Sequence, residues 1–339
     1  MNSDGSLDTV TSAGAGSGVA AWTGSDGAAW TSCPITQTLS AQSGDWKDLA
    51  IDYFDPYTRT LGVVAISLGG NGNGVRYFRQ TGSDCSAWTE TSLTNNGNFT
   101  SLAAGYINHD AYPDLIASAV ETKGVRLWLG GPGGWTPANA PLFSKLIYDT
   151  VIGDFNHDGW NDIAAAGDAG SIHVLQNNSL ASWTDHVLAA NGTHRAIALG
   201  DLNHDGNLDL VLAANGGGNS GIDVWLGSGD FNFTQAASPT AAGQYNELST
   251  GDLNHDGQLD ILAASVADGL KVWLGDGAGG WTALNGYLPR TGAFLRAQFG
   301  DINRDGSLDI LATAPGTGLQ IWTASGKPFV QTFLPLVAR

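Results

Sequence analysis

Residues 200–216 read GDLNHDGNLDLVLAANG, and this stretch decides the fold. Oxygen-bearing side chains stand at Asp201, Asn203, Asp205 and Asp209, with Gly206 where the backbone must turn sharply. Donors at positions 1, 3, 5 and 9 with glycine at 6 let one short loop wrap a hard cation, and the carbonyl of position 7, Asn207, adds a ligand. The spacing predicts a calcium loop. A helix-flanked calcium loop requires a bidentate Glu at position 12, where this chain has Leu212 inside an apolar run. The aliphatic residues after Asp209 predict a buried strand, so the cation is expected in a strand-to-strand turn.

The unit recurs three more times. Asp154, Asn156, Asp158, Trp160 and Asp162 form one copy; Asp252, Asn254, Asp256, Gln258 and Asp260 a second; Asp301, Asn303, Asp305, Ser307 and Asp309 a third. About four Ca²⁺ sites are therefore expected, the alternative being Asx-rich turns held by hydrogen bonds alone. With loop position 1 as a ruler, Asp52, Tyr106, Asp154, Asp201, Asp252 and Asp301 mark a period near 50 residues. Asn2, Asp4, Gly5 and Asp8 match positions 3, 5, 6 and 9 of one earlier loop, which makes seven repeats. Phe54, Pro56 and Thr60 replace ligands in repeat 2, and Tyr106 and Ala111 stand at positions 1 and 6 of repeat 3. Calcium is accordingly expected to be weak or absent in the first three repeats.

Each repeat predicts four strands: one such as RAIALGD running into the loop, LDLVLAA leaving it, GIDVWLG after a glycine-rich turn, and a fourth such as GGWTALN. Short strands, tight glycine turns and a fixed period are the pattern of a propeller blade. The expected fold is all-β: a seven-bladed β-propeller of four-stranded antiparallel blades with calcium loops between strands 1 and 2. It forms one domain over 1–339, with repeats near 1–43, 44–97, 98–146, 147–191, 192–243, 244–291 and 292–339. Repeat 1 lacks its inner strand, so a three-stranded first blade is a further expectation. In the third strand, Gly18, Gly74, Gly124, Gly221, Gly269 and Gly318 precede by four residues the aromatics Trp22, Phe78, Trp128, Trp225, Trp273 and Trp322; Ser171 and Leu175 interrupt both columns. Trp30, Trp88, Trp135, Trp183, Phe233, Trp281 and Phe329 open the fourth strands. Rings at fixed places in every repeat are expected to pack blade on blade.

The formal charge of −18 argues against nucleic acid or an anionic membrane as partner. Four loops of three Asp each account for twelve of the carboxylates, so the acidity is mostly a metal signature. Loops of this kind work at roughly 0.1–1 mM calcium, which favours an extracellular or cell-surface location. No leader-like segment precedes Asn2 and no apolar run approaches the ~20 residues of a membrane span; export implies a leader removed or lying outside this sequence. Cys33 and Cys85 leave room for one bridge. Sequons stand at Asn98, Asn177, Asn191 and Asn232.

The repeated D-x-N-x-D-G-x-x-D loop between the first two strands of each blade resembles the FG-GAP and VCBS repeats of integrin α-subunit propellers and secreted bacterial proteins. The resemblance implies that the four complete loops are calcium sites. In architecture the chain is also similar to seven-bladed fungal lectins of this repeat class, which bind sugars between blades, and this implies glycans or surface glycoproteins as partners.

Along the third strand a polar residue precedes the aromatic by two: Arg126 with Trp128, Asp223 with Trp225, Lys271 with Trp273, and Gln320 with Trp322. An aromatic plane beside a hydrogen-bonding group suits a sugar; blade packing is the competing role for the same rings. His109, His157, His204 and His255 share loop position 4, replaced by Arg304, and read as exposed loop residues. No G-x-S-x-G or H-E-x-x-H occurs, and the two G-x-G-x-x-G strings lie in expected hairpin turns. A non-catalytic lectin-like or adhesion module is the expected function. A carbohydrate-active enzyme on the same scaffold, or a structural or self-associating module, stands as the alternative.

Overall fold

The computed structural model describes residues 8–12, 19–25, 29–34, 46–57, 60–68, 74–81, 87–95, 97–120, 123–141, 143, 145–168, 172–188, 192–216, 219–286, 288–315, 318–324 and 330–333. These residues form strands and turns, with no helix among them. Their backbone groups into two compact units. Unit 1 is Met1–Ile152 with Gly159–Ala164 and Leu175–Asp185; unit 2 is Gly153–Asp158, Ala165–Val174 and His186–Arg339.

In unit 1, β1 (Asp8–Ser12), β2 (Val19–Ser25) and β3 (Ala29–Pro34) make a three-stranded antiparallel sheet. Two four-stranded blades follow, β4 (Trp46–Asp55), β5 (Thr60–Ser67), β6 (Val75–Gln80) and β7 (Trp88–Thr94), then β8 (Phe99–Gly105), β9 (Asp114–Ala119), β10 (Gly124–Leu129) and β11 (Thr136–Ala138). The division between the units runs through the next blade, β12 (Ile147–Gly153), β13 (Asp162–Gly167), β14 (Ile172–Asn177) and β15 (Trp183–Leu188). Unit 2 contains β16 (His194–Gly200), β17 (Asp209–Gly216), β18 (Asn219–Gly227) and β19 (Phe233–Gln235); β20 (Glu247–Gly251), β21 (Asp260–Ser265), β22 (Gly269–Gly275) and β23 (Trp281–Ala283); and β24 (Arg296–Gly300), β25 (Asp309–Ala314), β26 (Gly318–Thr323) and β27 (Val330–Phe333). Six blades are thus four-stranded. The expectation of seven four-stranded blades is corrected, because among the described residues the first repeat forms the three-stranded sheet β1–β3.

The second strands β9, β13, β17 and β21 are buried on both faces, which explains their continuous apolar runs. In β21, Ile261 and Ala263 join Val211, Ala213, Tyr245 and Trp273 in one core, while Leu262 and Ala264 join Phe294, Ile310, Ala312 and Trp322 in the next. Period-two alternation sends neighbouring residues into different interblade cores. In unit 1, Val63 and Ala65 face Val10, Val19 and Phe78, whereas Val64 and Ile66 face Phe99, Leu115 and Trp128.

The glycine column of the third strand has a steric cause. Gly221 and Gly269 sit at φ of +97° and +74°, and an added Cβ would lie 2.2 Å from the Thr240 carbonyl oxygen and 2.1 Å from that of Pro289. Those carbonyls accept the Ile222 and Leu270 amides at 2.9 and 2.8 Å, so the chain after the fourth strand is pinned where a side chain would stand. Gly269→Ala should therefore destabilise the protein by at least about 2 kcal/mol, read from the midpoint of urea unfolding; an unchanged midpoint would show that the segment can retreat.

Candidate calcium loops and an interblade cavity

The glycine that ends β16, Gly200, lets the backbone approach the following blade; a Cβ there would come within 2.4 Å of Leu259. Its loop then closes on itself. Asp201 Oδ1 and Asn203 Oδ1 both accept the Asp205 amide, at 3.1 and 3.0 Å, and Asp201 Oδ2 accepts the Gly206 amide at 3.0 Å. Asp205 Oδ1 accepts the Asn207 amide at 2.8 Å, and Asn203 Nδ2 donates to Asp205 Oδ2 at 3.0 Å. The same bonds recur around Asp252, Asn254 and Asp256, and around Asp301, Asn303 and Asp305. In the remaining complete loop, Asp154 Oδ1 and Asn156 Oδ1 both accept the Asp158 amide at 3.2 Å. Position 4 adopts the left-handed conformation in all four, with φ of +59° at His157, +58° at His204, +60° at His255 and +59° at Arg304. The sequence carried no direct signal for this, although His tolerates that region better than β-branched residues.

Position 9 plays a part that spacing alone did not reveal. Asp209 is fully buried, and its Oδ2 accepts the Leu202 amide at 2.7 Å while its Oδ1 accepts the Gly227 amide at 2.8 Å. It clasps the loop to the end of the third strand. Asp260 and Asp309 make the same two bonds in their blades, Asp114 does so in repeat 3, and buried Asp162 accepts the Asn177 amide at 2.8 Å. Burial pushes the Asp209 carboxyl up to about 6, against the lowering effect of its two backbone bonds, and the nearby Asp205 and Asp201 charges raise it further. Asp114, Asp260 and Asp309 are raised for the same leading reason, whereas backbone bonds hold Asp205 and Asp305 below the usual carboxylate value.

Among the described residues no three His, Cys, Asp or Glu side chains converge as a ready-made metal cage. The loop instead offers mixed oxygen donors. Asp201, Asn203, Asp205 and the Asn207 carbonyl could hold a hard cation, and no Lys or Arg lies within 200–209 to offset their charge. Two position 7 side chains reach the preceding repeat: Trp160 stacks on His109 with ring centroids 3.8 Å apart, and Asn207 Oδ1 lies 3.0 Å from His157 Nε2. The position-4 imidazoles are exposed, and His109 and His157 reach the loop of the following repeat. In repeat 2, Asp52 accepts the Tyr53 amide at 2.6 Å and Asp55 the Tyr57 amide at 3.0 Å.

The third-strand tryptophans mostly fill cores. Trp128, Trp273 and Trp322 are 3 %, 5 % and 1 % exposed and meet Phe99, Tyr245 and Phe294 edge-on at 6.2, 5.7 and 5.9 Å. Stacking on a sugar needs an open ring face, and the contacts these three rings make are packing contacts. Their partner column, Phe99, Tyr245 and Phe294 together with Trp46 against Phe78, escaped the sequence reading because it straddles strand starts and loops. Trp225 is half-buried, and its neighbour Asp223 is engaged by His194 Nε2 at 3.0 Å and by Gln235 at 3.4 Å. Gln320 is buried and Arg126 exposed. Asn177, 1 % exposed, donates to the Ile107 and Asn161 carbonyls, which removes it as a glycosylation acceptor. Cys85 lies outside the described residues, and so does the question of a bridge.

One pair of the predicted ligand residues does line a cavity. In unit 2, Lys271 and Trp273 of β22 face a space of about 340 Å³ together with Thr240, Tyr245, Asp268, Leu284, Asn285 and Arg290. Arg290 donates to Asn285 Oδ1 at 2.8 Å, which fixes both at the rim. Burial, then the Asp268 charge, pushes the Tyr245 phenol up to about 12, and its hydroxyl donates to the Ala242 carbonyl at 3.4 Å.

Comparison with known families places these loops. The FG-GAP-like repeat family matches residues 154–212, 205–263 and 252–312, each match running from one complete loop to the strand after the next. No curated protein matches the chain. Residues 154–312 are similar to the FG-GAP-like repeat family, and there the chain folds as four-stranded β-propeller blades.

Proposed function

We propose that this protein is an exported, non-catalytic carbohydrate-binding module whose blades are stabilised by calcium. The observation that carries the glycan reading is the cavity lined by β22 and by the segments 240–245 and 283–290. At about 340 Å³ it is at the small end of ligand pockets, the size of one or two sugar units. Its lining combines buried aromatic edges with Lys271, Asn285, Asp268 and Arg290, the mixture of apolar walls and few polar groups that orients hydroxyls. Asp268 is the single carboxylate of the lining, and glycoside hydrolysis uses two flanking the bond. Tyr245, with its raised pKa, is a poor general base for a lyase.

The calcium reading rests on oxygen-only donors at loop positions 1, 3, 5 and 7 and on the mutual repulsion of Asp201, Asp205 and Asp209. Asp201, Asn203, Asp205 and the Asn207 carbonyl, with their counterparts at 154–160, 252–258 and 301–307, would hold the ions. Bound calcium would supply positive charge that offsets this repulsion, and the affinity range of such loops favours a location outside the cell or on its surface. A panel of immobilised glycans should retain the full chain, and Lys271→Ala should weaken retention about tenfold. Absence of binding to every glycan in millimolar calcium would remove the reading.

A further inference from the structure

Basic side chains are scarce in this chain, 14 Lys and Arg against 32 Asp and Glu, yet two of them line the unit 2 cavity. Pairing of Lys271 with Ala263 and of Trp273 with Ile261 puts both β22 side chains on one face of the sheet. The backbone brings Arg290 beside that strand: the Leu270 amide donates to the Pro289 carbonyl at 2.8 Å, and a Cβ on Gly269 would meet the Arg290 carbonyl carbon at 2.8 Å. Neither cation is neutralised. Among the described residues the half-buried Lys271 ammonium has no ion-pair or hydrogen-bond partner, and exposed Arg290 spends one of its five donors on Asn285. Asp268, the lining's one carboxylate, is tied to its own hairpin: its Oδ2 accepts Ser265 Oγ at 3.4 Å, and its amide donates to the same hydroxyl at 2.9 Å. The cavity is therefore net positive in a chain of net charge −18.

We propose that the cavity selects an acidic sugar, a unit whose carboxylate is held by Lys271 and Arg290. A partly desolvated ammonium with no partner is satisfied by an anionic ligand, and the planar guanidinium fork matches a carboxylate. The Thr240 and Asn285 side chains, also in the lining, suit the hydroxyls of the same unit. The overall negative charge disfavours a long polyanion, but charges beyond about 8 Å are screened at physiological salt, so a single acidic unit feels mainly the two cations. The inference rests on the glycan-binding reading and names the class of sugar.

Titration calorimetry of the full chain with a glucuronyl disaccharide tests it, with the methyl ester of the same disaccharide as uncharged counterpart and triglutamate as carboxylates without sugar rings. The acid should bind at least about tenfold more tightly than the other two. Lys271→Met keeps the apolar stem and removes the charge, so it should weaken the acid about tenfold and leave the ester unchanged. Lys271→Arg should retain the preference. Arg290→Gln, at an exposed rim position, should weaken the acid in the same way and gives the reading if the Lys271 variants fold poorly. Equal binding of acid and ester would overturn the inference while leaving glycan binding intact. No binding of the acid would overturn it too, and the glycan panel then decides the broader reading by itself. Equal binding of triglutamate would overturn it in favour of an acidic peptide.

Discussion

Calcium added to chelator-stripped protein is expected to raise the thermal midpoint of unit 2 by at least about 10 °C. A ligand at a hundred times its Kd stabilises by about 2.7 kcal/mol per site, because the unfolded chain offers no preformed loop. Donors at positions 1, 3 and 5 of all four complete loops lie in unit 2. Several kcal/mol on a unit of this size corresponds to a shift of that order. Hydrogen exchange can locate the effect. Protection should rise at the Asp205, Asp256 and Asp305 amides, and the Asp52–Thr60 and Tyr106–Asp114 loops, which have incomplete ligand sets, should respond less. A uniform response across both sets, or none in millimolar calcium, would show that the aspartates act only as turn formers.

The second large effect separates the metal ligands from the clasp. Asp209→Ala should cost about 3–5 kcal/mol even in chelator, because the Leu202 and Gly227 amides each lose a buried partner at about 1–3 kcal/mol apiece. Asp205→Ala removes only local turn bonds at an exposed position, so its cost in chelator should stay within about 1 kcal/mol. Its loop should nevertheless stop responding to calcium. Denaturant unfolding of both variants with and without calcium gives the four numbers required. A clasp variant as stable as the parent in chelator would mean that the carboxylate at position 9 serves the metal alone.

The repeat period, the strand order within a blade and the loop position were legible because each depends on residues close in sequence. Oxygen donors two apart and a glycine at position 6 define a turn wherever they occur, and an unbroken aliphatic run after Asp209 can only be a strand covered on both faces. The tryptophan column was also visible, but not its role, since Trp128, Trp273 and Trp322 are identical in pattern whether they face solvent or a neighbouring blade. Their edge-on partners Phe99, Tyr245 and Phe294 obey no local period.

What the sequence by itself determined is the blade: which residues pair, where the chain turns, and which aspartates gather. Tertiary packing alone decided the use of those residues. It buried Asp209 between two amides from distant segments, and placed Lys271, Trp273 and Arg290 beside a cavity built from two repeats. The physical reason is that hydrogen bonding and hydrophobic periodicity act along the chain, whereas burial and electrostatic neighbourhood exist only once separate repeats are brought together.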